Sequence, residues 1–317
     1  MRKAGVLLSI SSLPSKYGIG CFSKEAYEFV DFLCSAKQSY WQILPLGPTS
    51  YGDSPYQSFS SFAGNPYYIS LEDLISEGIL DKNLCDNTDF GTDCSQIDYQ
   101  KLYQARFGLL HTAYKKSDFL NEEKFKKFEA ENDFWLDDYA RFMTLKNENN
   151  GKAWNEWESE TVNETEEINF WKFVQYKFFD QWKRLKKYAN ENGVSIIGDI
   201  PIYVSYDSVD VWKNPELFEL DSDGLPISVA GCPPDGFSAT GQLWGNPVYS
   251  WNEHKKDGFR WWIKRIGYAL EMYDALRIDH FRGFCEFYSI PYGESTAENG
   301  KWVEAPGSEL FNAIKKE

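Results

Sequence analysis

Residues 275–284, ALRIDHFRGF, follow a helical pattern and read as a strand. Side chains two apart on a strand point the same way. Arg277 and Asp279 therefore share one face, and Leu276 and Ile278 share the other. A guanidinium beside a carboxylate keeps it ionised and fixes its orientation. An ionised, immobilised Asp can serve as a nucleophile, and the same pair can equally be a structural ion pair at a strand end.

Upstream, residues 258–274 read as the helix that feeds this strand, with Phe259, Trp262, Ile263, Ile266, Leu270 and Tyr273 as its inner stripe. Before it, residues 229–246, VAGCPPDGFSATGQLWGN, read as a loop. In it Trp244, between Gln242 and Asn246, suits a sugar platform flanked by amide hydrogen-bonders. Residues 194–204, VSIIGDIPIYV, are nearly continuous in apolar residues, as a doubly covered parallel strand should be. Asp199 interrupts that run. A buried carboxylate must be paired, so Asp199 is either structural or part of a site.

The N-terminal region reads as one βα unit and the next strand. Residues 5–10 form a strand, Ser23 caps a helix with Ala26, Phe29, Val30 and Leu33 inward, and residues 40–46 form the second strand. Residues 47–66, GPTSYGDSPYQSFSSFAGNP, have neither helical nor strand period. Tyr51, Tyr56, Phe59 and Phe62 are too many aromatics for a solvated loop. A polar, aromatic loop after a parallel strand is where α/β barrels place substrate contacts. Residues 71–192 are mainly helical, clearest at 99–116, 132–149 and 166–192, and read as an inserted subdomain. Three regions follow: 1–70, the first βα units and the substrate loop; 71–192, the helical insertion; and 193–317, strands three and four with a covering loop. Residues 291–306 read as loop and 307–317 as the opening of another helix.

The chain has 317 residues, 42% of them apolar, enough for a sizeable core. It carries 33 basic and 48 acidic side chains, a net −15, which argues against binding a phosphate backbone. No apolar run is long enough to span a membrane. The 12 Trp, 20 Tyr and 23 Phe suit stacking on pyranose faces as well as core packing. The six cysteines form no CxxC pair, so no zinc site is expected. With no secretory leader, they read as reduced thiols in a cytoplasmic protein.

Five stretches together resemble amylomaltase, a 4-α-glucanotransferase of the α-amylase clan. They are SISSLPSKYGIG, YWQILPLGPTSYGDSPYQSFSSFAGNP, IIGDIPIYVSYDSVDVW, PPDGFSATGQLWGNP and ALRIDHFRGF, in family order. The resemblance implies a (β/α)8 TIM-type barrel with helical insertions. It also implies retaining transfer of α-1,4-glucan segments between maltooligosaccharides, including starch- or glycogen-derived glucans, without cofactor or metal. Arg277 and Asp279 match the family's Arg-x-Asp, whose Asp is the nucleophile, and His280 a sugar-hydroxyl contact. Tyr51, Asp53 and Tyr56 match the substrate-loop positions. Trp244, with Asn246 beside it, matches the flexible loop over the cleft, and Asp199 the strand-three carboxylate near the reacting sugar. Gly236 stands where many relatives carry a larger side chain.

Retention needs two carboxyls roughly 5–5.5 Å apart. The resemblance places the general acid roughly ten residues beyond Glu317, on a fifth barrel strand. Glu286, Glu294, Glu298 and Glu304 lie in or beside loop and are not promoted to that role. Four of eight strands are counted, so the barrel is expected to be truncated, missing its C-terminal half, with two unpaired edges. The 317-residue chain alone is expected to be weakly active or inactive and prone to associate. The alternative is a non-catalytic glucan-binding remnant. An α-amylase is the weaker third reading, because the long GDSPYQSFSSFAGNP and FSATGQLWGNP runs are not expected there.

Overall fold

The computed structural model describes residues 2–50, 52–91, 95–162 and 165–317. Eight strands are present among them: β1 (Gly5–Leu7), β2 (Tyr40–Gln42), β3 (Ser195–Pro201), β4 (Ser228–Cys232), β5 (Gln242–Pro247), β6 (Ala275–Asp279), β7 (Glu286–Pro291) and β8 (Lys301–Glu304). They form two sheets. One is parallel, in the order β1-β2-β3-β6; the other is antiparallel, in the order β5-β4-β7-β8.

The parallel sheet holds the four strands expected from the sequence, each shorter than its apolar run. Parallel neighbours need long crossovers, and here helices supply them. Lys24–Ser35 joins β1 to β2, Thr165–Glu191 feeds β3, and Arg260–Met272 feeds β6. The helix Lys24–Ser35 begins after Ser23 as expected, but the Ser23 hydroxyl donates to the Glu25 carboxylate rather than accepting a backbone N–H. Gly198 in β3 is required by packing: a Cβ there would lie 2.1 Å from the Tyr273 ring.

Helical segments predicted at 99–116, 132–149 and 166–192 are Tyr99–Lys116, Leu136–Glu148 and Thr165–Glu191. In the last, Trp171, Val174, Phe178, Trp182 and Leu185 are all buried. They belong to one apolar cluster that also takes in Val30, Trp41 and Ile196, so helices and parallel sheet share a core. Two glutamines of this helix pair the backbone at the end of the 47–66 loop and just beyond it. Gln175 accepts from Gly64 N–H (2.7 Å) and donates to Gly64 C=O (2.9 Å). Gln181 does the same at Ser70, at 2.6 and 3.2 Å. A side-chain amide thus pairs an irregular backbone where no strand is available, as buried backbone polar groups require.

Three sequence expectations are corrected. Residues 229–246 are not a loop throughout: their ends are β4 and β5, arms of an antiparallel pair. Residues 291–306 contain β8, which pairs with β7. Gly, Pro and short arms hide both, and pairing rather than local pattern makes them strands. On the helix Arg260–Met272, Leu270 points outward at 50% exposure, whereas Arg265 and Ala269 are buried. Arg265 earns its interior place by donating to Ile202 C=O (3.0 Å) and Pro201 C=O (2.6 Å), which fixes the end of β3.

Among the described residues no helix is long and apolar enough to cross a membrane, and no group of three or more metal-ligating side chains assembles. Cys21, Cys34, Cys85, Cys232 and Cys285 are free, and Cys94 lies outside the described residues.

Candidate active site

The register of β3 and β6 builds the site. Asp199 is the Cα partner of Arg277, and Pro201 that of Asp279. Asp199, Arg277 and Asp279 therefore project from one face at the C-terminal ends of adjacent parallel strands. Arg277 bridges the two carboxylates. Its Nη1 donates to Asp199 Oδ2 at 2.6 Å, and its Nη2 donates to Asp279 Oδ1. Asp199 is buried, whereas the Asp279 side chain is 40% exposed. The guanidinium is thus anchored on an interior carboxylate and presents its other nitrogen to one open to solvent. Asp279 Oδ2 has no protein hydrogen bond among the described residues.

Tyr56 completes the anchor by donating from its hydroxyl to Asp199 Oδ2 at 2.8 Å. Burial raises the Asp199 carboxyl above its ordinary value; the Tyr56 hydrogen bond and the Arg277 charge oppose that rise. Burial, and then the hydrogen bond to Asp199, push the Tyr56 phenol up to about 12, so it stays a donor at neutral pH. Asp199 Oδ1, Tyr203 Oη and His280 Nε2 are buried without a hydrogen-bond partner among the described residues.

His280 ends β6 in the left-handed region, at φ +51°. A non-glycine residue there is uncommon and marks a constrained turn. The conformation sets the imidazole edge-on to the Trp244 indole, with centroids 4.8 Å apart at 85°. Burial lowers the imidazole pKa, which favours the neutral ring. Tyr56, Gln57, Tyr203, Trp244, Asp279 and His280 line a cleft of about 370 Å³, a size suited to a small ligand.

The predicted residues fare differently. Asp279, Tyr56, Trp244, Asn246 and His280 line the cleft, with Arg277 and Asp199 behind it. Trp244 was expected on a flexible loop but lies within β5. Its indole N–H donates to Gln242 Oε1 at 3.0 Å. Asn246 is buried, and its amide donates to Val204 C=O at 2.8 Å. Asp53 does not line this cleft. At φ +52° it turns toward a second cavity of about 210 Å³ with Tyr67, Tyr103, Tyr139 and Lys146. Burial raises its carboxyl, against a weak hydrogen bond from Thr49. Tyr51 lies outside the described residues.

Sequence reasoning missed Gln57, Tyr203 and Ser205. Gln57 and Ser205 lie in stretches that were read for their aromatics and carboxylates, and single polar residues there carry no periodic signal. Of the four glutamates set aside as acids, Glu286 lies in β7 and pairs with Arg282, and Glu304 lies in β8. None of the four lines the cleft.

Comparison with known proteins places this geometry. The chain is 52% identical over 322 residues to a 4-alpha-glucanotransferase of Clostridium butyricum, covering 98% of this chain and 66% of that protein. It is 49% identical over 330 residues to one of Streptococcus pneumoniae, covering 100% and 65%. It therefore spans about two thirds of the length of these relatives. The structure of an amylomaltase from Streptococcus agalactiae in complex with acarbose superposes with a TM-score of 0.95 at 47% identity, over 100% of this chain and 67% of that one. An amylomaltase from Corynebacterium glutamicum, at 20% identity, shares the α/β fold with a TM-score of 0.81 over 98% and 45%. The sequence pattern of one family, 4-alpha-glucanotransferase, matches residues 8–317, and the chain belongs to that family.

Proposed function

We propose that the Asp279 cleft serves retaining transfer of α-1,4-glucan segments between maltooligosaccharides. One observation carries this reading: Arg277, fixed on buried Asp199, holds one oxygen of a half-exposed Asp279 at the mouth of a parallel sheet. In the first step Asp279 Oδ2 attacks the anomeric carbon of the donor. The glycosidic C–O bond breaks as an acid protonates the departing oxygen. In the second step an acceptor hydroxyl attacks the same carbon, its proton returns to the conjugate base of that acid, and the bond to Asp279 breaks. Trp244 stacks on the acceptor or donor ring and keeps water from the intermediate. Tyr56 and His280 meet sugar hydroxyls, and Asp199 acts from behind them by anchoring Arg277 near the reacting sugar. Asn246 supports Trp244. The acarbose bound in the streptococcal amylomaltase is in keeping with a maltooligosaccharide here. Asp53, beside the second cavity, is assigned to a more distant glucan unit, and Tyr51 is kept as a glucan contact on the resemblance alone.

Among the described residues lining the cleft, Asp279 is the one carboxylate. We place the general acid outside residues 1–317, and read the parallel sheet as part of a (β/α)8 barrel of which the rest also lies outside them. That single carboxylate also favours a second reading, glucan binding without catalysis.

Incubation with α-maltosyl fluoride and maltose separates the two. Fluoride leaves without protonation, so the donor needs only the nucleophile. The first reading predicts fluoride release with a maltosyl group retained on Asp279, both abolished in Asp279→Asn. Binding of the oligosaccharide without fluoride release supports the second.

A further inference from the structure

The β4–β5 pairing is irregular at the residue that matters. Val229 faces Pro247, but Gly231 faces Leu243. One residue of β4, Ala230, thus stands against three of β5: Trp244, Gly245 and Asn246. A bulge of this kind re-aims side chains and interrupts the ladder. Gly245 sits at φ +79° with open space where a Cβ would stand, and β5 is the edge strand of its sheet. The sheet alone therefore fixes the Trp244 backbone poorly.

The side chain of Gln57, from the 47–66 loop, spans this bulge. Its Nε2 donates to Trp244 C=O at 3.4 Å and to Asn246 Oδ1 at 3.3 Å. Its Oε1 accepts from Asn246 Nδ2 at 3.4 Å and from Ser205 Oγ at 2.5 Å. Asn246 Nδ2 also donates to Val204 C=O at 2.8 Å. One amide therefore joins three segments: the loop after β2, the segment after β3 and the bulge of β5.

We propose that Gln57 is a positioning residue that sets the Trp244 indole over the Asp279 cleft. The amide stands in for a neighbouring strand, just as Gln175 and Gln181 do elsewhere in the molecule. Because Tyr56 precedes it in the same turn and bonds Asp199, displacement of the 47–66 loop moves the Trp244 platform and the carboxylate anchor together. The clamp itself needs no sugar. Its effect on glucan binding rests on the function proposed above.

The test uses the 317-residue chain labelled with 5-fluorotryptophan, whose 12 tryptophans are followed by fluorine NMR. Trp244→Phe identifies the Trp244 signal. In Gln57→Ala and Gln57→Met, the latter similar in length but unable to bond, the Trp244 signal shifts or broadens while the other signals hold. An unmoved Trp244 signal in both variants overturns the proposal. Movement of all the signals in both also overturns it, since that marks general structural support. Titration with maltotetraose then reads the coupling. In the unsubstituted chain the sugar moves the Trp244 signal, and in Gln57→Met the dissociation constant rises roughly tenfold, as loss of about one part-buried hydrogen bond gives. If maltotetraose leaves Trp244 unmoved in the unsubstituted chain, the glucan reading fails, while the first comparison still decides the clamp.

Discussion

Arg277 serves two carboxylates of unequal burial, and this asymmetry decides what its loss would do. The contact with Asp279 is exposed and contributes little to stability. The contact with Asp199 neutralises an interior charge. Arg277→Leu leaves Asp199 with only the Tyr56 hydroxyl, and we expect a loss of about 1–3 kcal/mol in urea unfolding, reduced from the fully buried case by the partial exposure of the guanidinium. Asp199→Asn in the Arg277→Leu background should recover most of that loss without restoring reactivity at Asp279. Equal losses in the single and double variants would contradict this division of roles.

Two other side chains set the pH dependence. His254 is fully buried among Tyr249, Trp251 and Trp261, with neither ring nitrogen bonded among the described residues. Burial lowers its pKa from 6.5 to about 4. Its folded pKa lies below the unfolded one, so the folded chain binds fewer protons between these values. Its contribution is complete above pH 6.5 and is lost as pH falls to 4, by about 3 kcal/mol. Asp210 behaves oppositely: burial raises its carboxyl from 3.8 to about 6, so its contribution is complete below 3.8 and is lost as pH rises through 6. The two trends largely offset each other in the unsubstituted chain. Asp210→Asn should therefore gain about 3 kcal/mol at pH 7.5 relative to its effect at pH 4, read from urea unfolding at both pH values. A pH-independent effect would contradict the buried-carboxylate account.

At the scale of elements, the 47–66 loop closes on itself through an antiparallel Thr49–Ser58 bridge, and Gln175 pairs its end at Gly64. Gln175→Ala leaves Gly64 N–H and C=O unpaired in the interior, and Gln181→Ala does the same at Ser70. Each should cost about 1–3 kcal/mol, and Gln175→Ala should also speed proteolytic cleavage within residues 47–66. Unchanged cleavage in Gln175→Ala would mean that this amide does not order the loop. The same elements show what the sequence makes legible. The helix Thr165–Glu191 is long and strongly periodic, and β3 is a continuous apolar run, so both are readable locally. β4, β5 and β8 are short, Gly- or Pro-bordered segments whose strand character comes from each other. Leu270 fits the helical stripe yet points outward, because the arginine that closes the end of β3 takes the interior place. Asp279, Arg277 and Trp244 are legible through a motif; Gln57 and Ser205 become visible only once three distant segments meet.

For the molecule as a whole, β1 and β6 are the edges of the parallel sheet, and Leu7 on β1 is 56% exposed. Unpaired edges recruit further strands. Sedimentation velocity on the 317-residue chain should show concentration-dependent association, weakened by Leu7→Lys. A monomer at all concentrations would contradict it. The charge of −15 opposes association, so added salt should strengthen it.

The proposed attack of Asp279 on an anomeric carbon, with Arg277 holding its other oxygen, leaves a covalent intermediate. A 5-fluoro-α-glucosyl fluoride traps that intermediate, because its fluoride leaves without an acid and the ring fluorine slows release of the adduct. Mass spectrometry of the digested protein should find one covalent glycosyl group, on Asp279, absent in Asp279→Asn and strongly diminished in Arg277→Leu. No adduct, or an adduct on another carboxylate, would contradict the account.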